Sequence, residues 1–206
     1  MGSDPHARFS FPRASPVVIL CAVADYFQTI IDTGARPDEA DHLARHVVSF
    51  LAEKGIIAAT PSQEGGYARG PNALDISLPD DPRRRHESIP PVYSHLQVII
   101  GRATHSGDMS DAASPEAVCP KCSRALVDPD EEWGAAVQSW LGGDDASLLC
   151  PACGANAPVT EWRYAGGFGF GSLAFRFWNW PPLRPAFLEE LGKELGHSVS
   201  LVRGKL

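Results

Sequence analysis

Residues 185–203, PAFLEELGKELGHSVSLVR, decide the architecture. Pro185 suits the first turn of a helix, Leu188, Leu191 and Leu195 share one face, and Glu189 and Glu190 complement its positive end. Gly196 closes the helix, and Ser198 to Arg203 then reads as a strand. The same order of helix, glycine and strand recurs at 37–60, PDEADHLARHVVSFLAEKGIIAAT. There Ala40, Leu43, Ala44, Val47, Phe50 and Leu51 repeat at spacings of three and four, Gly55 ends the run, and Ile56 to Thr60 reads as a short strand.

Working outward, Ser172 to Trp180 is a β-rich aromatic run stopped by Pro181 and Pro182. Strict alternation places Phe175, Phe177 and Asn179 on one face and Arg176, Trp178 and Trp180 on the other, so both faces need cover. Leu96 to Ala103 also has strand character. Prolines at 61, 71, 79, 82, 90 and 91 make 61–95 a long surface excursion, with one short strand expected near Leu74 to Leu78. Residues 1–15 read as a loose terminus. The expected class is α+β: a small mixed sheet with two packing helices, with residues 16–107 and 164–206 flanking an insert at 116–163. The doubled helix-glycine-strand unit suggests a ferredoxin-like sheet.

The insert carries four of the five cysteines, as Cys119-Pro120-Lys121-Cys122 and Cys150-Pro151-Ala152-Cys153-Gly154. Two intervening residues let each pair turn both sulfurs toward one ion, and two such turns complete a tetrahedral set. Proline stiffens each turn, and Gly154 lets the backbone curl beneath the metal. Between the pairs, Asp128 to Leu141 predicts a short helix, with Asp130, Glu131 and Glu132 in its first turn and Trp133, Val137, Trp140 and Leu141 at helical spacing. All five tryptophans (133, 140, 162, 178 and 180) lie close together in sequence, which suggests one aromatic core shared by the insert and the C-terminal strand.

The repeated Cys-Pro-x-Cys resembles the knuckles of zinc-ribbon and rubredoxin-like domains over residues 119–154, with Ser123 standing where the first knuckle would carry glycine. The resemblance implies a structural Zn2+ held by Cys119, Cys122, Cys150 and Cys153, and it identifies a metal site more specifically than a biochemical role. Four thiolates can also hold iron.

Charge bears on partners. The chain has 18 Lys+Arg against 25 Asp+Glu, a formal net of −7. From Glu116 to Arg163 eight acids face three bases. Such a surface repels phosphates, so a protein partner is expected before nucleic acid. The counter-indication is Gly167-Phe168-Gly169-Phe170, which partly resembles the aromatic strand of RNA-recognition motifs; its alternative is a glycine-rich turn entering a core strand. With Arg176 it defines a nucleic-acid-associated alternative.

No catalytic signature emerges. His42 and His46 are four apart beside Asp38 and Asp41, but the stretch His-Leu-Ala-Arg-His lacks the glutamate of a metalloprotease motif and reads as a solvated face. Arg83, Arg84 and Arg85 are flanked by Asp80, Asp81 and Glu87, and His95 and His105 bracket a strand. The reading is therefore a non-enzymatic zinc-binding adaptor, with an enzyme site in 61–105 as a further alternative. Val17 to Ala24 loosely imitates a secretory signal but continues into Tyr26, Phe27, Ile30 and Ile31, so it reads as the start of a buried segment, with Cys21 as a core residue. No run reaches the roughly 18–20 apolar residues of a spanning helix. Reduced Cys-x-x-Cys pairs favour the cytoplasm.

Overall fold

A computed structural model describes residues 26–62, 65–81, 94–107, 116–126, 131–165 and 167–205. Cys21, the Val17–Ala24 segment, the Arg83–Arg85 triplet, Asp128 and Asp130 lie outside them. The class is α+β. The elements are β1 (Tyr26–Asp32), α1 (Ala40–Glu53), β2 (Tyr67–Ala68), β3 (His95–Ser106), β4 (Ala117–Val118), β5 (Ala125–Leu126), α2 (Glu131–Leu141), β6 (Ser147–Leu149), β7 (Asn156–Pro158), β8 (Arg163–Tyr164), β9 (Phe168–Trp178), α3 (Pro185–Leu195) and β10 (Val199–Lys205).

One five-stranded sheet, in the order β10-β1-β9-β3-β2, takes strands from both sides of the insert, and each of its pairings is antiparallel. Its long strands and the two helices beside it follow one another as β1, α1, β3, β9, α3, β10, so each helix links strands that have another strand between them. Both helices lie on one face. Val47 and Leu51 of α1, Phe187, Leu191 and Leu195 of α3, and Ile30, Leu173, Phe175 and Phe177 of the sheet form the main core. Fully burying such a side chain contributes about 1.5–3 kcal/mol, which outweighs the modest intrinsic preference of a 14-residue helix.

Gly196 ends α3 in the left-handed conformation at φ 71°, as the sequence expects, and β10 follows it. At the other copy of the pattern the expectation fails. Gly55 does have φ 68°, but Ile56–Thr60 forms no strand; Ile57 makes a single bridge to Arg69, because the sheet position next to β9 is taken by β3. The strand expected at Leu74–Leu78 is likewise a short 3-10 helix, Ala73–Ile76, followed by a bridge from Ser77 to Leu183.

Two backbone features redirect the aromatic run. Asn179 has φ 56°, a value tolerated by Asn better than by most residues, and its side chain accepts the Tyr26 N–H at 2.9 Å. The turn ends the alternation, so Trp180 falls beside Phe177 on the helix face, 5.1 Å between centroids, instead of beside Trp178. A register shift between Ile100 and Ala103 marks a bulge opposite Leu173 to Gly171. Beyond it Gly169 and Gly171 lie against Ile31, where an added Cβ would come within 2.8 and 2.5 Å of that side chain. Phe168 and Phe170 then turn to the insert. On the face away from the helices, Phe27, Ile31, Ala174 and Val202 form a small second cluster.

Candidate metal centre

The insert occupies the connection between β3 and β9, the two strands beside each other in the sheet. Its chain enters and leaves together: Gly107 N–H donates to Gly167 O at 2.9 Å, Ala165 N–H to Glu116 O at 2.9 Å, and β4 pairs with β8. Within it β5, β4 and β8 make a three-stranded sheet and β6 and β7 a hairpin.

Each Cys-x-x-Cys turn sits where a short strand bends back. In the first, Cys119 N–H donates to Arg124 O at 2.9 Å and Ser123 N–H to Cys119 O at 3.0 Å. In the second, Cys150 N–H donates to Ala155 O at 2.8 Å and Gly154 N–H to Cys150 O at 2.8 Å. The two knuckles thus use the same pair of bonds. Both turns need a left-handed residue, supplied by Gly154 at φ 70° and by Ser123 at φ 57°. Serine adopts that conformation at a cost of roughly 1 kcal/mol, so substitution of the expected glycine leaves the turn intact.

The turns bring all four sulfurs within 4.8 Å of one another. Two separations between the knuckles are 4.0 Å for Cys119 to Cys153 and 3.7 Å for Cys122 to Cys150. A tetrahedron with metal–sulfur bonds of about 2.3 Å has edges of about 3.8 Å. These separations are far from the roughly 2.05 Å of a disulfide, and the four cysteines are free. The donor set is therefore positioned to bind a metal ion. Cys119 and Cys150 are fully buried, Cys122 is half-buried and Cys153 is exposed. Burial works against ionisation of Cys119, but amide donors from Cys122 and Lys121 and the neighbouring thiols outweigh it and bring the thiol down to about 7. At Cys153 the Ala155 amide favours the thiolate, yet the other thiols and desolvation together push it up to about 12. A dication would displace the protons that the thiols hold.

Around the sulfurs, Ala136, Val137, Trp140, Leu148, Ala157, Val159 and Trp162 form a core of their own, extended by Phe168 and Phe170 of β9. The rings meet at angles: Trp140 to Phe170 at 5.1 Å and 82°, Trp133 to Phe168 at 5.7 Å and 59°. Burial pushes the Tyr164 hydroxyl well above its ordinary range, and that hydroxyl donates to Val159 O at 2.6 Å. Three of the five tryptophans, 133, 140 and 162, share this cluster with the β9 rings. Trp178 and Trp180 are separated from it, on opposite faces of the sheet.

Arg102 of β3 joins the insert to the sheet. It donates to Trp140 O at 2.8 Å and Asp144 O at 2.7 Å, with its guanidinium 5.3 Å from the Trp140 ring centre. A single arginine after Gly101 carries no sequence pattern that would mark it.

Among the described residues the cysteines are the one His/Cys/Asp/Glu group placed to hold a metal. His42 and His46 are exposed on α1, and His46 meets Glu194 at 3.2 Å. His95 stacks on Trp178 at 6.3 Å, while His105 is buried with Nδ1 3.5 Å from Arg176. Arg176 also donates to Thr29 at 3.0 Å and lies over Phe27 and Trp178. Phe168 is packed among Trp133, Tyr164 and Phe170, so the residues of the RNA-like motif are engaged within the molecule. No helix among the described residues is long and apolar enough to cross a membrane. Comparison of the chain with family models, curated proteins and solved structures yields no match.

Proposed function

We propose that Cys119, Cys122, Cys150 and Cys153 bind one structural Zn2+ in a zinc-ribbon-like insert, and that the chain serves without catalysis as a protein-binding adaptor in the cytoplasm. The observation that carries the metal assignment is the convergence of four thiols from two matching turns. Such a set satisfies tetrahedral zinc completely and leaves no coordination position for a substrate. When bound, the ion supplies folding energy, about 10–16 kcal/mol of apparent affinity in small domains. The chain's own residues supply the rest: the amides around each knuckle orient the sulfurs, and Trp140 and Arg102 fix the insert to the sheet. The β-α-β-β-α-β order of the long strands and its helices supports a ferredoxin-like reading of the body.

A protein partner is favoured by charge. Glu116, Glu131, Glu132, Asp144, Asp145 and Glu161 are exposed on the insert, and four thiolates on a dication add two further negative charges. Elemental analysis of purified protein should find one zinc per chain, and Cys119→Ser with Cys153→Ser should abolish it. Stoichiometric zinc in that double variant would sink the assignment, and stoichiometric iron in the parent would replace it. For the adaptor role, a defined protein should co-purify after nuclease treatment and be lost with the double variant; recovery of nucleic acid alone would favour the regulator reading.

A further inference from the structure

A cleft of about 560 Å³ lies where the insert meets the sheet. One wall is the end of β1 and the turn into α1, from Asp32 to Pro37; the other is Trp140 with Thr160 to Tyr164; Gly169 to Ser172 and Ser200 lie between them. The volume falls within the roughly 300–1,000 Å³ typical of small-molecule sites. Aromatic groups and arginines from separate parts of the chain converge there.

The charged groups differ in what they have left to offer. Asp32 is buried and committed: its carboxylate accepts the Gly34 and Ala35 amides at 2.9 and 3.0 Å and meets His197 at 3.0 Å. Arg36 is tied to Asp38 and Glu39 at 3.2 and 3.0 Å. Arg102 uses one guanidinium nitrogen on two carbonyls, and Arg163 makes one long contact, 3.4 Å, to the Ser123 hydroxyl. Neither Arg102 nor Arg163 has a carboxylate partner among the described residues, and a guanidinium fork suits a planar or tetrahedral oxyanion. Trp140, Tyr164 and Phe168 offer apolar surface beside them. Glu161, exposed on the rim, is the opposing charge.

We infer that this cleft binds a small organic anion, with its phosphate or carboxylate head on Arg102 and Arg163 and its apolar body against the aromatic wall of the insert. The arginines that line the cleft make it locally positive, so an acidic chain can still hold an anion there. The assignment goes beyond the adaptor reading and does not depend on which metal the cysteines hold.

Calorimetric titration of the metal-loaded full chain with phenyl phosphate and with benzoate distinguishes the two head groups. At least one should bind saturably, and more weakly as salt rises. Arg163→Gln, at an exposed position that leaves the fold intact, should weaken binding about tenfold. Glu161→Gln should strengthen it several-fold by removing a like charge. A structural role alone would not move the two variants in opposite directions. Absence of saturable binding by either probe, or equal affinity in the parent and both variants, would overturn the inference.

Discussion

The sheet-and-helix body buries Ile30, Leu51, Phe175, Phe177, Phe187 and Leu191 almost completely, whereas the insert leaves Trp133 and Tyr164 half-buried beside strands of two or three residues. In the body, long ladders and two amphipathic helices supply the burial that stability needs. In the insert the ladders are too short to stand alone, and four sulfurs occupy the place of a larger apolar centre. The contrast teaches that one chain can stabilise neighbouring regions by different physical means, so each should fail under a different challenge.

The largest separation between them should come from metal removal. Chelation, or Cys119→Ser with Cys153→Ser, withdraws about 10–16 kcal/mol of apparent binding free energy from the insert alone. Hydrogen exchange should then show α2, β6 and β7 losing protection while β1 and the β1-paired part of β9 retain it; uniform loss would mean that the body cannot stand without the insert.

Phe175→Ala attacks the other side. This ring is fully buried in the main core, and its truncation should cost about 3–5 kcal/mol in denaturant unfolding, with metal stoichiometry unchanged in the folded fraction.

Acid should sharpen the distinction next. Desolvation, with the Arg176 charge beside it, pushes His105 from 6.5 down to about 4. Between those values the unfolded chain binds a proton that the folded chain refuses, so stability falls as pH falls, by up to about 3 kcal/mol once both values are passed. Acid also protonates thiols, so the informative measurement is the difference between the parent and His105→Gln at equal metal loading. The variant should show the shallower decline between pH 6.5 and 4; identical slopes would remove His105 from the account.

The smallest effects compare the two knuckles. Gly154→Ala should destabilise by about 1 kcal/mol through backbone strain alone, since nothing lies within 4 Å of the added Cβ. Ser123→Gly should stabilise by a similar or smaller amount. Chelator competition can rank the three proteins.

Much of this contrast is legible in the residues. The cysteine spacing marks the four residues whose sulfurs the fold brings together, and local signals mark all three helices because capping glycines and i, i+3, i+4 periodicity act within a few residues. Other features depend on distant partners. β1 is buried on both faces after Tyr26, so it carries no alternation to identify it as a strand. Phe168 to Gly171 reads as a turn because glycine lowers strand propensity, yet glycine is what Ile31 leaves room for. The cleft draws on residues as far apart as Asp32, Arg102, Arg163 and Ser200, and only the sheet order brings them together.

The adjacent entry and exit of the insert bear on the order of folding. β9 is the central strand of the sheet, and closing it against β3 requires the chain from Gly107 to Gly167 to form a loop. If the insert first folds around its metal, Glu116 and Ala165 are already neighbours, and only short tethers remain to be closed. Loop-closure entropy grows by about 0.6 kcal/mol per doubling of length, so replacing a loop of about 60 residues by tethers of about 10 lowers the barrier to forming the sheet by about 1.6 kcal/mol. Metal would then stabilise a body that supplies none of its ligands, raising the refolding rate about tenfold while leaving the unfolding rate of that body nearly unchanged.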